Sequence, residues 1–132
     1  MFDKMKTMLG MGSSPVPAGA TITPSEAHRR QAAGTLLIDV RHAPERAQLG
    51  APAGAAWIDW SGDAVGFLAA THSLTGGDTT KPIALICRSG IRSGQAQAVL
   101  QSAGYADVVN VVGGFDAGPE NWRARGLPEE QA

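Results

Sequence analysis

The chain predicts an α/β domain of three layers, α/β/α, built on a central, mostly parallel sheet. Two features point there. Short apolar runs of strand length, Thr35-Leu36-Leu37-Ile38-Asp39-Val40, Pro82-Ile83-Ala84-Leu85-Ile86 and Asp107 to Val112, are separated by stretches with helical caps and spacing. Strands that alternate with helices pair in parallel and need cover on both faces, so they are apolar almost throughout.

Each element follows from its local chemistry. Thr23-Pro24-Ser25-Glu26 starts a helix, with Thr23 as N-cap, Pro24 at the first helical position and Glu26 placed for a reciprocal capping box. Gly34 suits a left-handed stop for it. Pro44 to Leu49 predicts a brief helix, Gly50 to Gly54 a loop and Ala55 to Ile58 a short strand. A weakly helical stretch, Gly62 to Ser73, leads through the polar loop Thr75 to Lys81 into the strand ending at Ile86. The next helix runs to about Ala103, with Ala96, Val99, Leu100 and Ala103 on one face and Gly104 as its cap. After the last strand a helix is expected through Trp122, then a turn at Gly126-Leu127-Pro128.

The 132 residues have the size of one domain, without internal repeats. Residues 1–20 are expected to be a flexible leader, because Gly10 to Gly19 is rich in glycine, serine and proline; the folded domain is then 21–132. Eleven basic residues against twelve acidic ones give a net charge of -1, which offers no global attraction for nucleic acid or an anionic membrane. Apolar runs of the length of a signal core or a membrane span are missing, so a cytoplasmic location is expected. One cysteine cannot form an internal disulfide, and His28, His42 and His72 are too scattered for a ligand pair. No GxxxxGK[ST] phosphate loop occurs. Neither a metal nor a cofactor is expected.

The chemistry concentrates in Ile86-Cys87-Arg88-Ser89-Gly90-Ile91-Arg92-Ser93. Cys87 falls between a buried strand and a helix, at the carboxyl end of the sheet where open α/β folds bind ligands. The helix N-terminus presents unpaired amides, and Arg88 and Arg92 add positive charge; both favour thiolate over thiol. Gly90 lets the loop curl so that amides converge on one anionic atom. Cys87 is therefore the candidate nucleophile, and Arg88, Ser89, Gly90, Ile91 and Arg92 the candidate substrate-binding loop. Ser89 and Ser93 lack an evident partner base and suit hydrogen bonding in the loop or at the helix start. Asp39 and Arg41 suit a structural ion pair. His42 is not needed as a base. Trp57, Trp60 and Phe67 suit the core or a pocket wall.

The loop CRSGIRS resembles the active-site loop of rhodanese domains, whose first residue is the persulfide-forming cysteine. Leu37-Ile38-Asp39-Val40-Arg41 resembles the family's early Asp-x-Arg strand. Gly113-Gly114-Phe115, Trp122 and Gly126-Leu127-Pro128 resemble its C-terminal signature. The resemblance runs from about Ile22 to Pro128, with one departure: Gly50-Ala51-Pro52-Ala53-Gly54-Ala55 stands where the family commonly has Gly-His-Ile-Pro-Gly-Ala.

The resemblance implies a sulfurtransferase of the thiosulfate type. Sulfane sulfur would pass from thiosulfate or a similar small anionic donor, through a persulfide on Cys87, to a cyanide-like or thiol acceptor, including protein thiols. Two other readings stay open. One is a sulfur-relay or protein-interaction module that turns over small donors poorly. The other is a cysteine phosphatase, disfavoured because such loops place five residues between cysteine and arginine, whereas four separate Cys87 from Arg92.

Overall fold

The computed structural model describes residues 16–132. Among them, five strands form a wholly parallel sheet: β1 (Thr21–Ile22), β2 (Leu36–Asp39), β4 (Ala56–Trp57), β5 (Ile83–Ile86) and β6 (Val108–Val111), in the order β1-β6-β5-β2-β4. Four helices accompany it: α1 (Pro24–Ala32), α2 (Ala43–Leu49), α3 (Ala64–Thr75) and α4 (Ile91–Ser102). The α/β class and the parallel sheet are as expected.

Side-chain alternation along the central strand β5 divides the core in two. Ile83, Leu85 and the following Cys87 face one way, into a cluster with Ile38, Val40, Trp60, Phe67, Ala96, Leu100 and Val108 under α3 and α4. Ala84 and Ile86 face the other way, onto Ile22, Ala27, Leu37, Val109, Val111, Phe115 and Trp122. Cys87 thus leaves the sheet on the α4 side, beneath that helix's first turn.

At the start of α1 the Thr23 hydroxyl accepts from the Glu26 amide at 3.1 Å. Glu26 does not close the expected box. Its carboxylate is taken by Arg29 and Arg30 along the same helix face, where two full charges outcompete one amide.

The larger correction concerns the segment after β6. The sequence predicts a helix through Trp122, but residues 112–127 form a chain of turns. Gly113 and Gly114 take left-handed φ values of 86° and 64°. The next amides are spent elsewhere: Phe115 donates to the Cys87 carbonyl at 2.8 Å, and Ala117 donates to the Arg88 carbonyl at 3.1 Å. Donors committed to another strand end cannot build a helix ladder. Trp122, fully buried, anchors the turns through its indole N–H, which donates to the Pro128 carbonyl.

Residues 1–15 of the expected leader lie outside the described residues. The remaining five are packed on the domain: the Val16 amide donates to the Ala106 carbonyl, Gln97 Nε2 donates to the Ala20 carbonyl, and both Val16 and Ala20 touch the core. The unusual Gly50–Ala55 segment holds the C-terminus. Its β3 (Ala51–Pro52) pairs antiparallel with β7 (Glu129–Glu130), and Gly50 meets the Glu130 carbonyl so closely that a Cβ would lie 2.7 Å from its oxygen.

Candidate active site

All four residues of β5 are buried, and the chain turns immediately beyond it. Gly90, at φ 114°, caps the start of α4 and closes the loop Cys87–Arg92 around the sulfur. Cys87 itself is only 1% exposed. Its Sγ receives the Gly90 amide at 3.1 Å, the Ser93 amide at 3.4 Å and the Ser93 hydroxyl at 3.2 Å. Burial is the strongest single influence on this thiol and pushes its pKa up. The Ser93 hydroxyl and the amides of Ser93, Gly90 and Ser89 together outweigh it, so the net shift is downward from the ordinary thiol value.

The two arginines have other partners. Arg92 forms a bidentate pair with Glu45, at 2.7 and 2.8 Å, which ties the start of α4 to α2. That pair holds the Glu45 carboxyl down at about 2, with the Glu45 contact to the His42 amide assisting. Arg88 is exposed, 3.6 Å from Asp116. The charge control expected of both arginines therefore passes mainly to hydrogen bonds aimed at the sulfur. Ser89 and Ile91 sit on the exposed rim, Ile91 at 74% exposure. A pocket of about 370 Å³ lies beside the loop, lined by Arg41, Glu45, Gln48, Leu49, Arg88 and Asp116.

Next to β5, the end of β2 carries a buried ion cluster. Asp39 and Arg41 are buried and joined at 2.8 Å; Arg46 adds a contact to the same carboxylate at 3.1 Å, and Arg41 also donates to the Gly50 carbonyl. The Arg41 guanidinium lies 4.1 Å from the Phe115 ring centroid. His42 pairs with Asp59 rather than with the cysteine. Trp60 and Phe67 are core residues in edge-to-face contact, while Trp57 is half-exposed and donates to the Arg41 carbonyl. Among the described residues no group of three or more His, Cys, Asp or Glu could hold a metal ion, and no helix is long and apolar enough to cross a membrane.

Asn110 escaped the sequence reading. It stands in the apolar run Val108-Val109-Asn110-Val111, and an amide in a buried strand needs partners. That interruption was the available signal. Its Nδ2 donates to the Gly90 carbonyl at 2.9 Å, and its Oδ1 accepts from the Ser93 hydroxyl at 2.6 Å.

A family model for the rhodanese-like domain matches residues 23–120. The chain belongs to the rhodanese-like domain family. Solved structures agree. The M. tuberculosis protein Rv0390 superposes with a TM-score of 0.72 at 27% identity, over 88% of this chain and 100% of that one. Reduced Bacillus anthracis CoADR-RHD matches at 31% identity and a TM-score of 0.58, over 74% of this rhodanese-like chain and 16% of that longer one. The polysulfide-sulfur transferase homodimer of Wolinella succinogenes shares the fold, at 23% identity and a TM-score of 0.63, over 86% and 79%. A search of curated proteins finds no match.

Proposed function

We propose that this rhodanese-like domain is a sulfurtransferase that carries sulfane sulfur on Cys87 from thiosulfate or a similar anionic donor to a thiophilic acceptor. One observation carries the reading: a buried sulfur met by the Gly90 amide, the Ser93 amide and the Ser93 hydroxyl, with its pKa lowered by those donors. Such a sulfur is a thiolate at lower pH than a free cysteine and so a nucleophile. The polysulfide-sulfur transferase among its structural neighbours is consistent with this chemistry.

In the first step Cys87 Sγ attacks the outer sulfur of thiosulfate. The new Sγ–S bond forms as the donor's S–S bond breaks, and sulfite leaves with the electron pair. The negative charge now rests on the terminal sulfur of the persulfide, where converging loop amides stabilise it. In the second step cyanide or a thiolate attacks that terminal sulfur, and Cys87 thiolate leaves. Arg88, exposed at the loop rim, is the donor-attracting cation, whereas Arg92 holds the loop through Glu45.

Intact mass after exposure to thiosulfate tests the proposal. The expected result is a gain of one sulfur atom that cyanide removes and that Cys87→Ser abolishes. A chain that gains no sulfur from thiosulfate or from a polysulfide would overturn it.

A further inference from the structure

The Ser93 hydroxyl has one proton and two acceptors. Its oxygen lies 3.2 Å from Cys87 Sγ and 2.6 Å from Asn110 Oδ1. The amide orientation of Asn110 is fixed independently, because Nδ2 donates to the Gly90 carbonyl at 2.9 Å. A flipped amide would set Oδ1 against that carbonyl and lose the bond. The side chain fits because position 94 is glycine: a Cβ there would lie 3.3 Å from Nδ2. Asn110 thus presents a fixed acceptor to a hydroxyl that the sulfur also needs.

We propose that Asn110 is a positioning residue that competes with Cys87 for the Ser93 proton and thereby balances the loading of sulfur against its release. This rests on the sulfurtransferase reading above. When the negative charge is on Sγ, the hydroxyl turns to Sγ and leaves Asn110 Oδ1. When the charge has moved to the terminal sulfur of the persulfide, Sγ is a neutral bridging atom and the proton returns to Asn110. Loading begins from a thiolate and release ends in one, so the two steps feel this competition in opposite senses. A thiolate more strongly held by Ser93 is a weaker nucleophile and a better leaving group.

The test is a double-mutant cycle of Ser93→Ala, Asn110→Ala and both together, read by the pH dependence of Cys87 alkylation with iodoacetamide. Removing Asn110 frees the Ser93 proton for the sulfur. With Ser93 present, Asn110→Ala is therefore expected to shift the alkylation midpoint lower, relative to the same change made on top of Ser93→Ala. The expected coupling is about 0.5–1 pH unit, or roughly a three- to tenfold change in the thiol–thiolate equilibrium, the scale of part of one charge-assisted hydrogen bond. Any loosening of the loop through the Gly90 carbonyl occurs in both backgrounds and cancels. The charged groups about the loop, Arg88, Arg92 and Glu45 with Asp39, Arg41, Arg46 and Asp116 beyond them, are the same in all four proteins. Asn110→Val, which suits a strand and has no polar side-chain atom, supplies the contrast if Asn110→Ala does not fold.

An Asn110 effect equal in both backgrounds, or coupling of the opposite sign, would overturn the proposal. Single-turnover mass measurements at a pH above all four midpoints extend it: Asn110→Ala should load sulfur about 1.5- to threefold more slowly and release it faster. Alkylation needs no sulfur donor. A chain that shows the coupling but never gains sulfur would therefore refute the sulfurtransferase reading and leave the proton competition standing.

Discussion

Two strand ends lie side by side in this domain and have opposite chemistry. β2 and β5 run in register, with Asp39 opposite Ile86, and both deliver a polar group to the carboxyl edge of the sheet. At β2 the Asp39 carboxylate is satisfied within the protein by Arg41 and Arg46. At β5 the Cys87 sulfur meets hydrogen-bond donors but no cationic side chain bonded to it. A carboxylate held between two guanidinium groups makes a rigid joint. Hydrogen-bond donors with no cation bonded to the sulfur would, on the proposed function, hold a thiolate in place and leave it open to attack. On the proposed function, one sheet edge serves structure and chemistry on neighbouring strands, roughly 4.8 Å apart in the hydrogen-bond direction.

The largest effect should come from the reactive end. Cys87→Ser is expected to abolish sulfur transfer and leave the fold intact, since an alcohol stays protonated at neutral pH; turnover and circular dichroism check the two halves of that statement. Appreciable transfer by the folded variant would end the persulfide mechanism. The converse experiment is Asp39→Ala, which strands buried Arg41 without its carboxylate and should cost about 3–5 kcal/mol of stability. Urea denaturation would measure it. A loss under ~1 kcal/mol would mean that the β2 cluster is not a structural joint.

The link between the two ends is Glu45–Arg92, and Glu45→Gln weakens it without removing all its hydrogen bonds. Stability should fall by about 1.5–3 kcal/mol at neutral pH, the range for hydrogen bonds to charged groups. Its pH dependence has a definite sign. The Glu45 carboxyl is held by Arg92 at about 2, below its ordinary 4.5, so its contribution is fully present above pH 4.5 and is lost as pH falls towards 2. Thermal melts of both proteins across that range should converge in acid. The smallest effect should be on the donor's KM, which should drop a few-fold as Arg92 becomes an unmatched cation near the loop.

Much of this was legible in the residues. Buried strands announce themselves as apolar runs, and Leu36–Asp39, Ile83–Ile86 and Val108–Val111 fall inside the segments expected. Cys87 was conspicuous as a thiol at a strand-to-helix turn. The partners of Arg92 were not, because Glu45 lies 47 positions away and nothing local links them. The same holds for Asn110. The segment after β6 misled for a related reason: its spacing is compatible with a helix until the carbonyls of Cys87 and Arg88 claim its amides.

Those claimed carbonyls have a further consequence. A peptide unit that points its C=O outward must point its N–H inward, and the Cys87 and Arg88 carbonyls are turned towards Phe115 and Ala117. Backbone contact there is so close that a Cβ at Gly114 would sit 2.4 Å from the Arg88 carbonyl oxygen. The peptide units concerned carry the N–H groups of Arg88 and Ser89, so a stretch of chain remote in sequence fixes the direction of the Ser89 dipole beside the sulfur. It follows that the loop and the Gly113–Trp122 turns open as one cooperative unit, so that the Phe115 and Ala117 amides should exchange their hydrogens with solvent only when the loop opens.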